Sequence, residues 1–400
     1  MTPTTLLLAA LFSAPANLVD AKVTPVDATP AKAMRQIEDG WLAFEFPMNR
    51  SRNGPCCWRG HWNRTEESGC SLSGNNGGYT VSDGKRVAGS SVGQAYLRIH
   101  DGEPRDMRVL NATCPVGADN EQVFWLAEVS AKSSHDFLVE LLDGERGDVA
   151  EGAVHALGLH AHERATDTLF ELARDRRSDV GEQAIFWLGE SRGLDGYEKL
   201  DQLLDELPRS DRRRGINFAL SQNETPEAAE LLYRISQEDE DREQRGDALF
   251  WLAESDHPKA LEALERAVTH ERSEDVSERA LHALSELESD AAATVLKETA
   301  RTHQNSEVRA QALFWLAEGY PDQALGVIRQ VLGSDSSGEV KERAVFALSQ
   351  LPDAVATDAL LSIIRGDYPN KVRKQALFWL AESDDPAALE ALERLLASDR

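Results

Sequence analysis

Cysteine is scarce in this 400-residue chain, and its distribution is uneven. The four candidates for disulfide bonding, Cys56, Cys57, Cys70 and Cys114, all lie in the first third. They predict two disulfides with three alternative pairings, and therefore an oxidising compartment. A bond between the adjacent Cys56 and Cys57 is strained, which favours pairings with Cys70 and Cys114. Zinc is disfavoured because no C-x2-C pair is present.

Long hydrophobic runs are also lacking, which excludes a membrane-spanning helix. The apolar run Leu6–Phe12 is short and precedes Ala14-Pro15-Ala16, a sequence that suits signal peptidase. Val19-Asp20-Ala21 is a second candidate cleavage point. We therefore expect a secretory signal peptide over 1–21, a Pro- and Ala-rich linker over 22–34, and a periplasmic or secreted protein.

Positive charge is deficient, and the deficit lies in one part of the chain. The net charge is −26 overall, about neutral over 1–118 and −27 over 119–400. A surface of this sign repels phosphate, which excludes nucleic acid and anionic membranes as partners of residues 119–400. It is compatible with a basic protein partner.

Catalytic motifs are missing as well. The chain has no G-x-S-x-G elbow, no Gly-rich phosphate loop and no H-E-x-x-H helix. A cluster of His155, His160, His162 and Glu163 is the one candidate metal site, and we interpret it as a mixture of surface and core residues. No catalytic, cofactor-binding or metal-binding residue is predicted.

Residues 35–118 have the composition of a small β-rich module. Strand-like alternation occurs at 41–46, and two further strands are expected within 95–114 around an Asp101-Gly102 turn. The intervening segment 68–93 is rich in Gly, Ser and Asn and predicts a loop. A module of this size buries a modest core, so disulfides would stabilise it.

Residues 119–400 are repetitive. A marker leucine recurs every 31 or 32 residues, at Leu126, Leu157, Leu188, Leu220, Leu252, Leu284, Leu316, Leu348 and Leu380. This predicts about nine units, each a pair of helices. In the last unit we expect helices at 370–383, capped by Asn370, and at 385–398, with Asp385 as the cap and Pro386 in the first turn.

First helices carry the pattern V-x-x-x-A-x-x-A-L-[GS], with tryptophan in place of the second alanine in alternate units. It occurs as Val149, Ala153, Ala156, Leu157 and Gly158, and again as Val276, Ala280, Ala283, Leu284 and Ser285. This pattern resembles HEAT-like repeats of the class found in phycobilisome lyases. The resemblance implies a mainly α, right-handed solenoid. Some HEAT-like enzymes use His-Glu pairs as iron ligands. The pairs His162-Glu163 and His270-Glu271 form no symmetric set, which disfavours a di-iron hydroxylase.

In alternate units a tryptophan precedes the marker leucine, at Trp125, Trp187, Trp251, Trp315 and Trp379, and the other units have alanine there. We interpret these tryptophans as a structural ladder that alternates with the small alanines to fill the interior. The alternative is a peptide-binding ladder, because a glutamate or glutamine follows the marker by two residues in almost every unit.

The second helices offer the preferred partner-binding candidates, namely Glu262, Glu265, Arg266, Glu390, Glu393 and Arg394. An arginine cluster is a further candidate, with Arg176, Arg177, Arg212, Arg213 and Arg214. We expect an exported, non-catalytic scaffold that binds one or more proteins, and self-association through an uncapped last repeat. The alternative is a ligand-binding or metal-binding protein, or a bilin-lyase-like enzyme, with its site in the N-terminal module or at its junction with the first repeats.

Overall fold

A computed structural model of the chain describes residues 15–49, 56, 70–73, 90–143, 147–175, 178–207, 211–255, 257–335 and 337–398. The chain forms two compact units, residues 1–219 and 220–400, and their boundary falls inside a helix. The predicted fold class, helix pairs in tandem after a small β-rich module, is confirmed. None of the described helices is both long and apolar enough to cross a membrane.

The first unit begins with two small sheets. The strands are β1 (Leu18–Val19), β2 (Lys22–Val26), β3 (Gly40–Pro47), β4 (Cys70–Ser71), β5 (Val92–His100), β6 (Glu103–Asn111), β7 (Val116–Gly117) and β8 (Gln122–Leu126). One sheet has the order β1-β7-β4, and the other has the order β2-β8-β3-β5-β6. The predicted hairpin is present as β5 and β6, with Asp101 and Gly102 in left-handed conformations at its turn.

The core of this module consists of residues from both sheets. Trp41, Tyr96, Cys114 and Trp125 are all at least 95% buried and belong to one apolar cluster. Arg98 and Arg108 have their guanidinium groups 5.7 and 5.4 Å from the Trp41 ring centroid. The Trp41 indole N–H donates to Glu121 Oε2 at 2.8 Å, so the one polar atom of this buried ring is satisfied.

The linker predicted over 22–34 is wrong. Residues 22–26 form β2, an edge strand that pairs in parallel with β8, and α1 (Pro30–Met34) follows. Pro25 suggested a linker, but an edge strand tolerates proline because one of its sides needs no backbone donor. The predicted signal peptide lies mostly outside the described residues, although Leu18 and Val19 belong to β1.

The first Phe-Trp segment, at 121–130, is not a helix. It contains β8, which lies between β2 and β3. Each later copy has about ten residues of helix before its marker leucine. The corresponding positions in the first copy are occupied by Pro115, Gly117 and the left-handed residues Asp119 and Asn120. These residues interrupt the helix that precedes the marker leucine in later copies. The solenoid therefore begins after β8 rather than at residue 119.

Helices occupy the rest of the first unit. They are α2 (Ala131–Leu141), α3 (Asp148–Leu159), α4 (Ala165–Ala173) and α5 (Ser178–Glu206), followed by α6 (Asp211–Gln222), which contains the boundary. Helix α5 is broken at Gly193, whose φ of 53° is accessible to glycine at little cost. Its two parts, 178–192 and 194–206, are the two helices of one repeat.

The second unit continues the pairs. It contains α7 (Pro226–Glu238), α8 (Arg242–Glu254), α9 (Ala260–His270), α10 (Glu274–Glu286), α11 (Asp290–Thr302), α12 (Ser306–Gly319), α13 (Pro321–Ser334), α14 (Gly338–Ser349), α15 (Asp353–Arg365), α16 (Asn370–Ala381) and α17 (Pro386–Ser398). The Asp385 carboxylate accepts from the Ala387 amide at 3.0 Å, which confirms the predicted cap. Asn370 is the first helical residue instead, and Pro369 precedes it.

The pattern residues of the first helices form the core of the repeats. In α10, Val276, Ala280 and Leu284 are 1, 0 and 0% exposed. Helices α8, α10, α12, α14 and α16 pack side by side in that order. The recurring Val, Ala and Leu positions therefore bury one continuous stripe between neighbouring repeats, as tandem repeats require.

An arginine in the first turn of two first helices ties adjacent loops together. Arg309 donates to Asp335 through Nε at 2.7 Å and Nη2 at 3.1 Å, and through Nη1 to the His303 carbonyl at 2.7 Å. Arg245 makes the corresponding bonds through Nε, to Glu271 at 2.8 Å, and through Nη1, to the Asp239 carbonyl at 2.7 Å. Each guanidinium thus links the loop before its own helix to the loop before the next first helix.

Candidate partner-binding surface

The aromatic residues of the first helices form a continuous row of rings in the second unit. They occupy the two positions before each marker leucine, as Phe250, Trp251, His282, Phe314, Trp315, Phe346, Phe378 and Trp379. Successive ring centroids are 4.4 to 6.5 Å apart. Trp315 contacts His282, and Trp379 contacts Phe346, so every ring has a neighbour in its own or the adjacent repeat. We call this set the aromatic row.

Every ring of the aromatic row is partly exposed, and Phe378 is 51% exposed. The predicted large-small alternation correctly placed each of these tryptophans beside a repeat that has alanine before its marker. The tryptophans pack on rings of neighbouring repeats, as a packing ladder requires, but they are half-buried rather than fully buried. The buried side of each helix is occupied by the leucines on either side of the rings, such as Leu249 and Leu252, both 0% exposed. The rings lie at the rim of this stripe.

A row of acids runs beside the rings. Glu254, Glu286, Glu318 and Glu382 are exposed at the position two residues after each marker leucine, and Gln350 completes the series. The glutamate position follows the first aromatic position by four residues and the second by three. It therefore lies on the same side of the helix as the rings. His282 Nε2 lies 3.7 Å from Glu286 Oε1, which shows this proximity directly. The aromatic row and these carboxylates together form what we call the ladder face.

The first unit carries a shorter version of the same arrangement. The rings of His155 and Trp187 stack with centroids 4.8 Å apart, and Phe186 stacks on Phe218 at 5.8 Å. Trp187 also lies over Gly158, where a Cβ atom would fall 2.3 Å from the indole. Burial lowers the pKa of His155 to about 4, so this ring is neutral at pH 7.

Trp125 is not a member of the aromatic row. It lies on β8, is 5% exposed, and is tilted against Tyr96 with ring centroids 6.5 Å apart. The helical tryptophans of the predicted ladder are therefore Trp187, Trp251, Trp315 and Trp379. The bridging rings, such as His282 and Phe346, stand two positions before their marker leucines in the sequence. Their contacts with the tryptophans were not predicted.

The second-helix candidates are exposed but are not drawn together into a site. Glu262, Glu265 and Arg266 lie on the exposed face of α9. Arg394 forms an ion pair with Glu390 within α17, where both side chains are more than 60% exposed, and Glu393 lies nearby. An exposed i,i+4 pair of this kind contributes little to stability, and its geometry indicates no ligand.

The arginine cluster is only partly within the described residues, since Arg176 and Arg177 lie outside them. Arg212 donates to the Asp175 carbonyl, and Arg213 donates through Nε to the Leu204 carbonyl at 3.1 Å. Arg214 is half-buried on α6. Arg212 and Arg213 therefore bind neighbouring backbone within the first unit, which is a structural role.

The histidine cluster forms a joint between the β-rich module and the repeats. His160 is fully buried, and its Nδ1 accepts from the His162 amide at 2.9 Å, which leaves the proton on Nε2, 2.9 Å from Ser134 Oγ. Burial, together with nearby His135, His162 and Arg192, lowers the pKa of His160 to about 3. Both nitrogens of this neutral ring are engaged, so it has no nitrogen available for a metal. His162 is half-buried, and Glu163 is exposed.

Two neighbouring groups complete this joint. The guanidinium of Arg192 donates to the carbonyls of Gly158 and His160, both at 2.8 Å, and so satisfies the end of α3. Phe46 of β3 stacks on His160 with centroids 5.4 Å apart. The cluster therefore holds β3 against the end of α3.

A disulfide joins Cys56 to Cys114, one of the partners expected for Cys56. Cys70 Sγ lies 3.8 Å from Cys114 Sγ, so the three sulfurs are close together beneath the small sheet. Cys57 lies outside the described residues.

The last repeat has an exposed apolar surface. Leu377 and Leu389 are 43% and 63% exposed, whereas Leu249 and Leu313, which correspond to Leu377 in earlier repeats, are 0% exposed. The self-association expected through this repeat stays a prediction.

Models of known protein families match the repeated part of the chain. A model of HEAT repeats matches residues 135–221, 228–317 and 299–370, and a model of the PBS lyase HEAT-like repeat matches 372–398. No curated protein matches the chain.

Several solved structures are similar to part of this chain at low sequence identity. Human deoxyhypusine hydroxylase is 16% identical, with 66% of this chain and 97% of the hydroxylase covered and a TM-score of 0.29. Kap121p is 14% identical, over 64% of this chain and 33% of its own length, with a TM-score of 0.38. The CpcE and CpcF complex of phycocyanin lyase from Nostoc sp. PCC7120 is 18% identical, over 57% and 92%, with a TM-score of 0.27. These values carry no argument about activity. Together, the matched models cover more than half of the sequence, and the chain belongs to the HEAT-repeat family.

Proposed function

We propose that this protein is an exported, non-catalytic interaction scaffold, and that the ladder face of its second unit binds an extended, cationic segment of another protein. The observation that supports this proposal is the aromatic row between Phe250 and Trp379, partly exposed and flanked by a carboxylate in four repeats.

The chemistry of the ladder face favours arginine in the ligand. A guanidinium stacks on aromatic rings and accepts charge compensation from a carboxylate at the same time. The exposed carboxylates Glu254, Glu286 and Glu318 repeat at the spacing of the helices, and the adjacent rings are continuous. An extended segment with several cationic side chains would meet one such pair in each repeat. The strong negative charge of residues 119–400 would also attract it over longer distances.

Export is supported by two features of the first unit. The apolar run Leu6–Phe12 with its small-residue cleavage sequence is typical of a secretory signal. The Cys56–Cys114 disulfide is typical of proteins from oxidising compartments, because cytosolic thiols are mostly kept reduced. We therefore propose a periplasmic or extracellular location.

The test measures binding of a short, fluorescent arginine–glycine repeat peptide to the full chain by anisotropy. In one variant Glu254, Glu286, Glu318 and Glu382 are all changed to Gln. We expect roughly tenfold weaker binding, since each exposed charge pair contributes on the order of 0.2–1 kcal/mol. Binding to the unchanged protein should also weaken as salt is raised.

The matched control changes the same number of carboxylates on the second helices. It replaces Glu262, Glu265, Glu390 and Glu393 with Gln, and should bind as the unchanged protein does. Equal losses of peptide affinity in both variants would show only a general effect of charge. That result would contradict binding at the ladder face. A co-purified small molecule or metal detected by native mass spectrometry, together with no peptide binding, would contradict the proposal that the protein is a scaffold.

A further inference from the structure

Residues that precede the first long strand are built into the disulfide-bonded module. The Asn17 side chain donates from Nδ2 to Gln94 Oε1 and to the Cys114 carbonyl, both at 2.8 Å. It also accepts at Oδ1 from Gln94 Nε2 at 3.2 Å. Gln94 is 1% exposed, so Asn17 satisfies a buried amide group on a central strand.

The backbone after Asn17 completes the small sheet. The amides of Val116 and Ala118 donate to the carbonyls of Asn17 and Val19, at 2.8 and 2.9 Å. Both donor residues are 0% exposed. Without residues 17–21, β7 would become an edge strand with two amides that have lost these acceptors, in a buried environment.

The apolar side chains of the same segment support this arrangement. Leu18 and Ala21 pack against the core cluster that contains Cys70 and Cys114. By contrast, Ala16 is exposed. Among the described residues, Pro15 accepts only a turn hydrogen bond from the Leu18 amide at 3.1 Å, and the hydrogen bonds to the module interior begin at Asn17.

We infer that the export signal is removed between Ala16 and Asn17, and that Asn17 becomes the first residue of the mature protein. This inference rests on the export part of the proposed function. A signal peptidase of the exporting cell would use water to hydrolyse this peptide bond, giving a carboxylate on Ala16 and an ammonium group on Asn17. Ala14 and Ala16 supply the small residues that such enzymes require. Cleavage after Ala21, the alternative, would remove Asn17 and all of β1.

The experiment expresses the full chain, with its own N-terminus, in an exporting bacterium. The non-reduced intact mass and the N-terminal sequence of the periplasmic protein are then measured. The expected product lacks residues 1–16 and begins Asn-Leu-Val-Asp-Ala. A product that begins at Lys22 would overturn this inference but leave export standing, as would a periplasmic protein that retains Met1. A chain that keeps Met1 and stays in the cytoplasm would overturn both.

Two further proteins test the role of Asn17 separately from recognition by the peptidase. Asn17→Ala should be cleaved at the same bond but have a melting temperature several degrees lower. Val19→Thr is the matched control, because Val19 is 49% exposed, and it should melt as the unchanged protein does. A chain in which another protein's leader directly precedes Lys22 should be less stable still. Unchanged melting of this last protein would overturn the inference, because residues 17–21 would then contribute nothing to the module.

Discussion

The loop-bridging arginine in the second unit allows a quantitative test of what stabilises the repeats. The side chains of Arg309 and Asp335 are 12% and 8% exposed and form a bidentate ion pair. Asp335 also accepts from the Ser337 amide at 2.7 Å. Asp335→Asn preserves the size of the side chain but leaves the guanidinium of Arg309 nearly buried without its counter-charge.

The expected loss of unfolding free energy is about 3 kcal/mol, the lower end of the range for breaking a buried pair on one side. For a unit of this size, that corresponds to a fall in melting temperature of roughly 6–12 °C. Urea unfolding followed by circular dichroism measures the loss. Asp358→Asn, at an exposed position of α15, is the matched control and should change stability by less than about 0.5 kcal/mol.

The pH dependence distinguishes an ion pair from simple packing. Burial by itself raises the pKa of Asp335, but the hydrogen bonds from Arg309 and Ser337 outweigh it and hold the pKa below its usual value. A lowered pKa contributes stability that is present above the unfolded pKa of about 3.9 and is lost as pH falls through the folded value. The difference between Asp335→Asn and the unchanged protein should therefore shrink below about pH 4. An equal difference at pH 7 and pH 3 would refute this reasoning.

Two further predictions concern the first unit. Cys56→Ser should lower the free energy of unfolding by about 4 kcal/mol, since the disulfide to Cys114 closes a loop with a sequence separation of 58. Thermal unfolding with and without reductant measures this loss. A transition that does not respond to reductant would contradict the prediction. Gly189→Ala should cost about 1–3 kcal/mol, because its Cβ would lie 2.0 Å from the Ala219 carbonyl oxygen. The contrasting variant is Gly326→Ala in α13 of the second unit, where the new Cβ has no close neighbour. It should raise the free energy of unfolding by about 0.5–1 kcal/mol. The opposite order of melting temperatures for the two variants would contradict the close approach at Gly189.

Local patterns predicted most of the helices and the hairpin. The repeat period located the marker leucines, and turn chemistry located Asp101-Gly102, because both depend on residues close together in the chain. The Asp385 cap was predictable for the same reason.

Non-local contacts account for what the sequence did not predict. The segment around Trp125 has the same Phe-Trp-Leu pattern as the helical copies, but the residues before it interrupt a helix, and it pairs with β2 and β3 instead. The alternation of tryptophan and alanine before the marker leucines predicted a packed ladder of tryptophans. It could not show that the neighbouring repeats cover the leucines and leave the rings at the rim.

The joint at His160 has a consequence for how the protein matures. A stack of repeats has an apolar end that must be covered, and here β6 and β3 cover α3 where another repeat would otherwise lie. The Cys56–Cys114 bond lies in the β-rich module, so oxidation stabilises the module that supplies this cover. The first repeats of a newly made, reduced chain are therefore covered by a less stable module than those of the oxidised protein.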